Sequence, residues 1–465
     1  MQFPRGVVLA WCLLPLTPPV QGAGDKVRRE FEKKRIKFLV EAGQRHLLLG
    51  DWCRKANLIP QATAEFVLAV EISEGHNQGA NTVLGIMRAY DDAFWKRGLP
   101  KPGKLQLDSY ADRLRRVRQE DRKERLALAA AAWNAKLLDA AVEQYRVALR
   151  TAEEPIVVDA RGRVVIDNLP LPEEISTALR QDKVKVNGQE RLPDLLASRV
   201  PQITPVFEKA SDTILVRSQV SLAQAEDLHG LGTALLPHLE DLLDGRPARR
   251  LQLYVLADRK GYAAYLDAVQ LAEFKAASAF ADMGTFAAVV CAEGMTAAQL
   301  HATVLHELTH LFQFGVSPVV MPSWYCEGLA ETFGGEGTHT WSDGKLTVGG
   351  DMARARLDAL KQAGVSLKGL MEQDALKTVA GDKAAGAVFY AGSWALMRFL
   401  RRAAGKSVAE KFALWEQRCR GAALGAEIGK PNARNTAPAA ELFQKTFSRE
   451  LPTLEQGFAE WLQRL

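Results

Sequence analysis

The sequence predicts an α+β protein in which a helical N-terminal region precedes a small mixed sheet and further helices. Three observations support this fold class. Apolar residues recur at helical spacing over residues 26–152. After residue 200, short apolar runs typical of strands alternate with helical stretches, at 213–216, 251–255 and 285–290. A further predicted helix carries His306 and His310 one turn apart.

Residues 1–22 have the pattern of a signal peptide. A basic start ends at Arg5, an apolar run covers residues 6–16, and Val20 and Gly22 suit cleavage near Gly22. We therefore expect a secreted or periplasmic protein. No later stretch approaches the roughly 18 apolar residues of a membrane span. An uncleaved N-terminal anchor is the alternative.

The amino-acid composition and net charge limit which kinds of binding partner we expect. Of the 465 residues, 47% are hydrophobic and 25% are charged, which is typical of a globular protein with room for two or three domains. The net charge of +5 is mild and indicates no polyanionic partner. The basic run at 113–125 is interleaved with acidic residues and accompanies no nucleic-acid-binding module, so we expect no nucleic acid.

Four cysteines come after the predicted signal peptide: Cys53, Cys291, Cys326 and Cys419. In an exported protein they can pair, and four cysteines allow three connectivities. Their spacing matches no metal-binding motif, and the sequence leaves the pairing open.

Residues 23–152 form a predicted helical domain with an internal echo. Residues 57–70 align with residues 136–149, since both segments place small alanines and then an aromatic residue at helical spacing. This pattern resembles the second helix of a tetratricopeptide repeat, whose helix pairs can present a face to a protein partner. Ordinary helical packing is the alternative. The two copies lie 79 residues apart, so they form no regular array.

Residues 153–200 are predicted to be a hairpin and a connecting segment. The hairpin covers 156–166 with its turn at 160–162, and four prolines punctuate the connecting segment. We place a domain boundary near residue 200. In the second domain, 201–465, helices are expected at 223–243 and 260–269, and a hairpin turns at Asp343-Gly344.

The pentad His306-Glu307-Leu308-Thr309-His310 lies on a predicted helix of residues 296–315. Thr296 and Gln299 form a capping box at its start. An apolar stripe faces one way, and the two imidazoles face the other way, where they can share one metal ion. Glu307 projects beside that position, where it can act as a base on water.

A catalytic zinc ion takes three protein ligands, so the pentad predicts another ligand nearby. A second short helix is expected over 322–333, ended by two glycines. Glu327 on this helix is the candidate third ligand. Glu331 lies one turn further on the same face, where its carboxylate can accept the free N–H of a ligand histidine.

The pentad, followed by Trp324-x-x-Glu327-Gly328-x-Ala330, resembles the gluzincins, the zinc metallopeptidases that include thermolysin and the aminopeptidase-like enzymes. The resemblance implies a zincin-like domain over 201–465, with one zinc ion in a cleft between two lobes. It makes His306, His310 and Glu327 the zinc ligands, Glu307 the catalytic base and Glu331 the partner of a ligand histidine.

The same resemblance implies two further features. Tyr390 resembles the helix-starting tyrosine that stabilises the oxyanion in aminopeptidase-like members. The strand at 285–290 corresponds to the sheet edge above the zinc, where an extended substrate can pair with it. The alternative is a plain buried strand.

The function expected from these residues is that of an exported zinc metallopeptidase acting on a peptide or protein substrate. The Gly-x-Met-Glu-Asn stretch that binds a free N-terminus in aminopeptidases is missing, which favours an endopeptidase. Two alternatives stay open. The chain could be a catalytically silent binding protein that works through its helical domain, or a zinc hydrolase of a non-peptide amide or ester.

Overall fold

The computed structural model combines helices with small sheets, which confirms the predicted mixed class. It describes residues 24–79, 82–83, 103–152, 156–181, 184–186, 189–191, 207–243, 250–268, 271–272, 275–282, 286–316, 321–373, 382–420 and 437–465, with a few single positions between them. The predicted signal peptide at 1–22 and the predicted boundary near residue 200 lie outside the described residues.

The described residues of the N-terminal region form two helical hairpins. Helix α1 (Gly24–Lys55) pairs with α2 (Ile59–Ile72), and α3 (Lys104–Asn134) pairs with α4 (Leu138–Ala152). The second helix of each hairpin contains one copy of the internal echo. Ala62 and Phe66 in α2, like their counterparts in α4, are buried. The echo therefore marks equivalent positions in two hairpins.

The turns of the two hairpins have the same construction. Asn57 and Lys136 occupy equivalent positions with φ angles of 65° and 62°. The amide of Leu58 donates to the carbonyl of Cys53 at 2.8 Å, and the amide of Leu137 donates to the carbonyl of Ala132 at 3.0 Å. In each turn, the amide donates to the carbonyl five residues earlier, and a residue in the left-handed conformation ends the first helix of the hairpin.

His46 of α1 is buried between two carboxylates. Its Nδ1 lies 2.6 Å from Oε2 of Glu65 on α2, and its Nε2 lies 3.3 Å from Oδ2 of Asp121 on α3. Tyr110 donates a hydrogen bond to the other oxygen of Glu65 at 2.6 Å. Burial lowers the pKa of His46, but the two carboxylates outweigh burial and raise the pKa to about 9. A charged imidazole therefore joins three helices at neutral pH.

The predicted hairpin is present and belongs to a small three-stranded sheet. Strands β1 (Val157–Val158), β2 (Val164–Ile166) and β3 (Leu169–Pro170) are antiparallel. Helix α5 (Glu173–Gln181), which was not predicted, comes next. The buried side chains of this unit share one apolar cluster with α4, so it packs on the helical region. Two further short strands, β4 (Val184–Val186) and β5 (Gln189–Arg191), pair with each other.

Within the described residues, the main sheet has five strands in the order β6-β7-β8-β10-β9. Three of them, β7 (Ile214–Ser218), β8 (Leu251–Leu256) and β10 (Ala287–Cys291), are parallel and correspond to the predicted strands. The flanking strands β6 (Phe207–Ala210) and β9 (Ala279–Asp282) are antiparallel to their neighbours and were not predicted. Helices α6 (Leu222–Leu243) and α7 (Arg259–Ala268) complete the parallel crossovers.

The prediction that the strand at 285–290 forms the sheet edge is wrong. This strand is β10, which lies between β8 and β9 and is buried along its whole length. The edge strand on this side is β9. Its four residues, Ala-Phe-Ala-Asp, give no strand pattern of their own, and pairing with β10 holds them extended.

Helix α8 (Ala297–Val316) packs on one face of the sheet, and helix α9 (Ser323–Gly334) packs on α8. The hairpin of β11 (His339–Ser342) and β12 (Lys345–Val348) turns at Asp343-Gly344 as predicted. Both turn residues have positive φ, at 50° and 71°. This conformation matches the twist of the flanking strands.

After β12, the described part of the chain is mainly helical, as predicted. The elements are α10 (Arg354–Ala363), α11 (Leu367–Glu372), α12 (Lys383–Arg398), a π-helical turn (Phe399–Ala403), α13 (Lys406–Arg420), α14 (Ala437–Phe447) and α15 (Leu451–Arg464). One apolar core joins these helices to α8, α9 and the main sheet. None of the helices in the described part of the chain has both the length and the apolar character needed to cross a lipid bilayer.

Candidate metal centre

Helix α8 begins at the predicted capping box. The amide of Thr296 donates to Oε1 of Gln299 at 2.9 Å, and the amide of Gln299 donates to Oγ1 of Thr296 at 3.3 Å. The helix ends at Val316, one residue beyond the predicted stop. Its apolar stripe is buried in the main core, so His306 and His310 face away from the sheet.

Three side chains converge above α8. The Nε2 atoms of His306 and His310 lie 3.0 Å apart, and Oε2 of Glu327 lies 3.2 Å from the first and 3.4 Å from the second. The three side chains are 10–15% exposed, so the group is accessible but mostly enclosed. In the described part of the chain, these three side chains are the one group of histidine, cysteine or carboxylate ligands close enough together to hold a metal ion.

The spacing of the three atoms fits zinc. Zinc binds nitrogen and oxygen ligands at roughly 2.0–2.2 Å in a tetrahedron, whose edges are then about 3.3 Å long. The three observed distances of 3.0, 3.2 and 3.4 Å match such an edge. Within the described residues, Oε2 of Glu327 is buried and makes no hydrogen bond of good geometry, so it is an acceptor that a cation would satisfy.

Two glycines hold α9 close to its neighbours. A Cβ on Gly328 would lie 2.4 Å from the carbonyl oxygen of Ser393 on α12. A Cβ on Gly334 would lie 2.6 Å from the carbonyl oxygen of Ala302 and from the amide nitrogen of His306, both on α8. The ligand helix can approach α8 closely because these positions carry no side chain.

Glu331 connects His306 to Arg356, an arginine that no sequence motif indicated. Its Oε1 lies 3.4 Å from Nδ1 of His306, and its Oε2 accepts a hydrogen bond from Nη1 of Arg356 at 2.7 Å. Burial raises the pKa of Glu331, but His306 and Arg356 outweigh burial and lower it. An ionised Glu331 favours a proton on Nδ1 of His306, which leaves Nε2 free to bind a metal.

The carboxylates and imidazoles of this group stabilise each other's charged forms. Burial raises the pKa of Glu327, but the two imidazoles outweigh burial and lower the pKa to about 2. Burial lowers the pKa of His306, yet Glu327 and Glu331 raise it well above its usual value. The cluster therefore attracts positive charge, which either a proton or a metal cation can supply.

Glu307 lies beside the three converging side chains and is almost fully buried. Burial raises the pKa of its carboxyl group, and the imidazoles of His306 and His310 oppose this shift. The backbone amide of Ala281, on the edge strand β9, donates a hydrogen bond to the carboxylate. A carboxylate with a raised pKa at this position can accept and return a proton.

Tyr390 lies near the group, but it does not start a helix. The ring of Tyr390 is 5.9 Å from the ring of His306 in an edge-on arrangement. The prediction of a helix-starting tyrosine is wrong, because Asp382 caps α12 and places Tyr390 in the middle of the helix. Burial and the nearby carboxylates raise the pKa of Tyr390, so its hydroxyl is a hydrogen-bond donor at neutral pH.

In the described structure, the four cysteines beyond the predicted signal peptide form no disulfide bonds with one another. Cys326 adjoins the candidate ligand Glu327 in sequence, but its Sγ accepts a hydrogen bond from Gln313 at 3.2 Å and donates one to the carbonyl of Met321 at 3.4 Å. Burial raises the pKa of this thiol to about 12, so Cys326 is a poor metal ligand or nucleophile.

A scan against models of known protein families finds no match for this chain, and a search of curated proteins finds none either.

Proposed function

We propose that the chain is a zinc-dependent metallopeptidase with a zincin-like second domain, and that it acts as an endopeptidase. The observation that carries the proposal is the triangle formed by His306, His310 and Glu327, whose edges match a tetrahedral zinc site. The buried carboxylate of Glu307 beside this triangle adds a proton acceptor. One zinc ion per chain is expected.

Each residue around the site would have a separate role in hydrolysis. His306, His310 and Glu327 would hold the zinc ion, which when bound polarises a carbonyl and lowers the pKa of water toward about 7. Glu307 would take a proton from the attacking water and return it to the leaving amine. Tyr390 would donate a hydrogen bond to the oxygen that becomes negatively charged.

The position of β9 supports a peptide substrate. This strand lies at the edge of the main sheet, and the backbone amide of its Ala281 donates a hydrogen bond to the Glu307 carboxylate. An extended peptide could add to the edge as a further strand, with its backbone held beside the base. Such pairing recognises the peptide backbone rather than particular side chains.

A measurement of metal content tests the site. Mass spectrometry of the purified protein should find about one zinc per chain, and the His310→Ala variant should have lost it. Full zinc retention in this variant would contradict the assigned ligands.

The Glu307→Gln variant tests the activity. It should bind zinc normally but cleave a peptide library about 100-fold or more slowly, because the proton acceptor is gone. Undiminished cleavage would refute the role of Glu307. If the wild-type protein binds zinc but cleaves no peptide, the same library format with amide and ester substrates distinguishes another hydrolase from a silent binding protein.

Export and a protein partner for the helical region remain part of the proposal. The mature protein should begin near residue 23, which its intact mass would reveal. An uncleaved mass would contradict removal of the predicted signal peptide.

A further inference from the structure

On the side opposite Glu327, helix α9 is linked to the C-terminal helices by a hydrogen bond and an ion pair. Tyr325 precedes Glu327 by two residues, so its side chain points about 200° away, into the C-terminal helices. The Tyr325 hydroxyl donates a hydrogen bond to Oε1 of Glu416 on α13 at 2.7 Å. Arg401, in the π-helical turn, forms an ion pair with the same oxygen. Tyr325 and Glu416 are 2% and 3% exposed.

Aromatic packing surrounds these two contacts. The ring centroid of Tyr325 lies 5.4 Å from that of Trp415 and 6.3 Å from that of Phe412, and Trp324 stacks on Trp415 at 5.9 Å. Apolar burial of this kind stabilises α9 against the C-terminal helices, but it is weakly directional. The hydrogen bond from Tyr325 fixes an orientation as well as a distance.

The two glycine contacts do not set the orientation of α9. Gly328 and Gly334 determine how closely α9 approaches α12 and α8, but they have no side chains that interlock with those helices. A polar anchor on the opposite side of the helix would therefore limit rotation about the helix axis. Because burying the charge of Glu416 costs desolvation energy, its pairing with the part-buried Arg401 mainly offsets that cost and adds little net stability.

We propose that the chain Tyr325–Glu416–Arg401 fixes the rotation of α9 and thereby places the carboxylate of Glu327. Tyr325 is a positioning residue, and the inference rests on the proposed function because it takes Glu327 as a zinc ligand. A rotation of about 10° at a side-chain radius of roughly 6 Å moves a carboxylate by about 1 Å. Such a displacement is large compared with the roughly 0.5 Å tolerance of a preorganised site.

The Tyr325→Phe variant tests the inference, since it removes the hydroxyl and keeps the ring. Zinc affinity, measured by competition with a chelator, should fall about 10–100-fold. The absorption spectrum of the cobalt-substituted protein should change as well, because it reports ligand geometry. The matched control is Tyr110→Phe. Tyr110 is also buried and also donates a hydrogen bond to a carboxylate, that of Glu65, but it lies in the N-terminal helices away from α9.

Variants at the other end of the bond provide a second test. The Glu416→Gln variant keeps an acceptor for Tyr325 and should keep zinc affinity near that of the wild type. The Glu416→Leu variant removes the acceptor and the partner of Arg401, and should weaken zinc binding at least as much as Tyr325→Phe. Adding Tyr325→Phe to Glu416→Leu should weaken binding no further, because the hydrogen bond of Tyr325 is already lost.

Several outcomes would overturn the inference. If the wild-type protein binds one zinc and Tyr325→Phe leaves both the affinity and the cobalt spectrum unchanged, the positioning role fails while the proposed function stands. An equal loss in Tyr110→Phe would indicate a general loss of stability rather than a positioning role, and would also overturn it. If the wild-type protein binds no zinc, the proposed function fails and the inference fails with it. Should Tyr325→Phe not fold, the pair of Glu416 variants decides.

Discussion

Replacing Gly334 with alanine should damage the candidate zinc site without any change to a ligand. The added Cβ would lie 2.6 Å from the carbonyl oxygen of Ala302 and from the amide nitrogen of His306. Both contacts are backbone atoms of α8, so neither can rotate away. Ordinary contact begins near 3.4 Å, so the last turn of α9 must move about 0.8 Å away from α8.

That movement would open the triangle of donor atoms. The distances from Glu327 to the two imidazoles, now 3.2 and 3.4 Å, would increase toward about 4 Å, beyond the edge of a zinc tetrahedron. We expect zinc affinity to fall about 100-fold and the free energy of unfolding to fall by about 1–3 kcal/mol. The protein should stay folded, since domains of this kind have about 5–15 kcal/mol of stability.

Chelator competition would measure the affinity, and urea unfolding would measure the stability. Gly457→Ala is the matched control, because Gly457 also lies in a helix but its added Cβ would meet Phe399 at an ordinary 3.4 Å. This variant should bind zinc normally and be no less stable than the wild type. A folded Gly334→Ala protein with wild-type zinc affinity would refute the close-contact argument.

Two other changes test separate parts of the structure. Arg356→Met should weaken zinc binding about 10-fold by chelator competition, while Arg356→Lys should weaken it less because the cation beside Glu331 is kept; equal effects would contradict a role for the charge. For His46, the folded pKa of about 9 exceeds the unfolded value of about 6.5, so the folded state binds more protons between these values and loses stability as pH rises. Its contribution, on the order of 3 kcal/mol, should be present below about pH 6.5 and lost above about pH 9. Urea unfolding should show this loss in the wild type but not in His46→Gln, and parallel pH profiles would disprove it.

Elements defined by local signals could be predicted from the sequence. The capping box of Thr296 and Gln299 and the apolar stripe after it determine where α8 begins and which face it buries. The Asp343-Gly344 turn predicts its hairpin because both residues adopt positive φ there. The parallel strands carry enough consecutive apolar residues to be recognised without knowledge of their neighbours.

Elements defined by long-range pairing could not be predicted. Strand β9 is short and contains two alanines and an aspartate, so only its pairing with β10 reveals it. The position of Tyr390 was misjudged because the cap at Asp382 lies eight residues earlier and outweighs the local pattern around the tyrosine. Helix α5 was missed because the prolines around it indicated a connection.

The candidate site shows the same division. The spacing of the pentad places His306 and His310 on one side of a helix, so their approach results from helical geometry alone. The distance from Glu327 to these imidazoles depends instead on the close contacts of α9 with its neighbours. Arg356 reaches Glu331 from α10 through tertiary packing, and no spacing in the sequence could have indicated it.

The short motif therefore specifies which side chains can bind a metal ion, whereas the contacts around α9 determine whether those side chains lie close enough together to do so. Moving α9 by less than 1 Å would leave every residue of the motif in place and still break the triangle, as the Cβ contacts at Gly334 require. Gly328, Gly334 and Tyr325 are not among the three candidate ligands. The glycines set how closely α9 approaches its neighbours, and the proposed role of Tyr325 is to set the rotation of α9. A chain that keeps the pentad and the glutamate but fills either glycine position should accordingly lose zinc binding before it loses its fold.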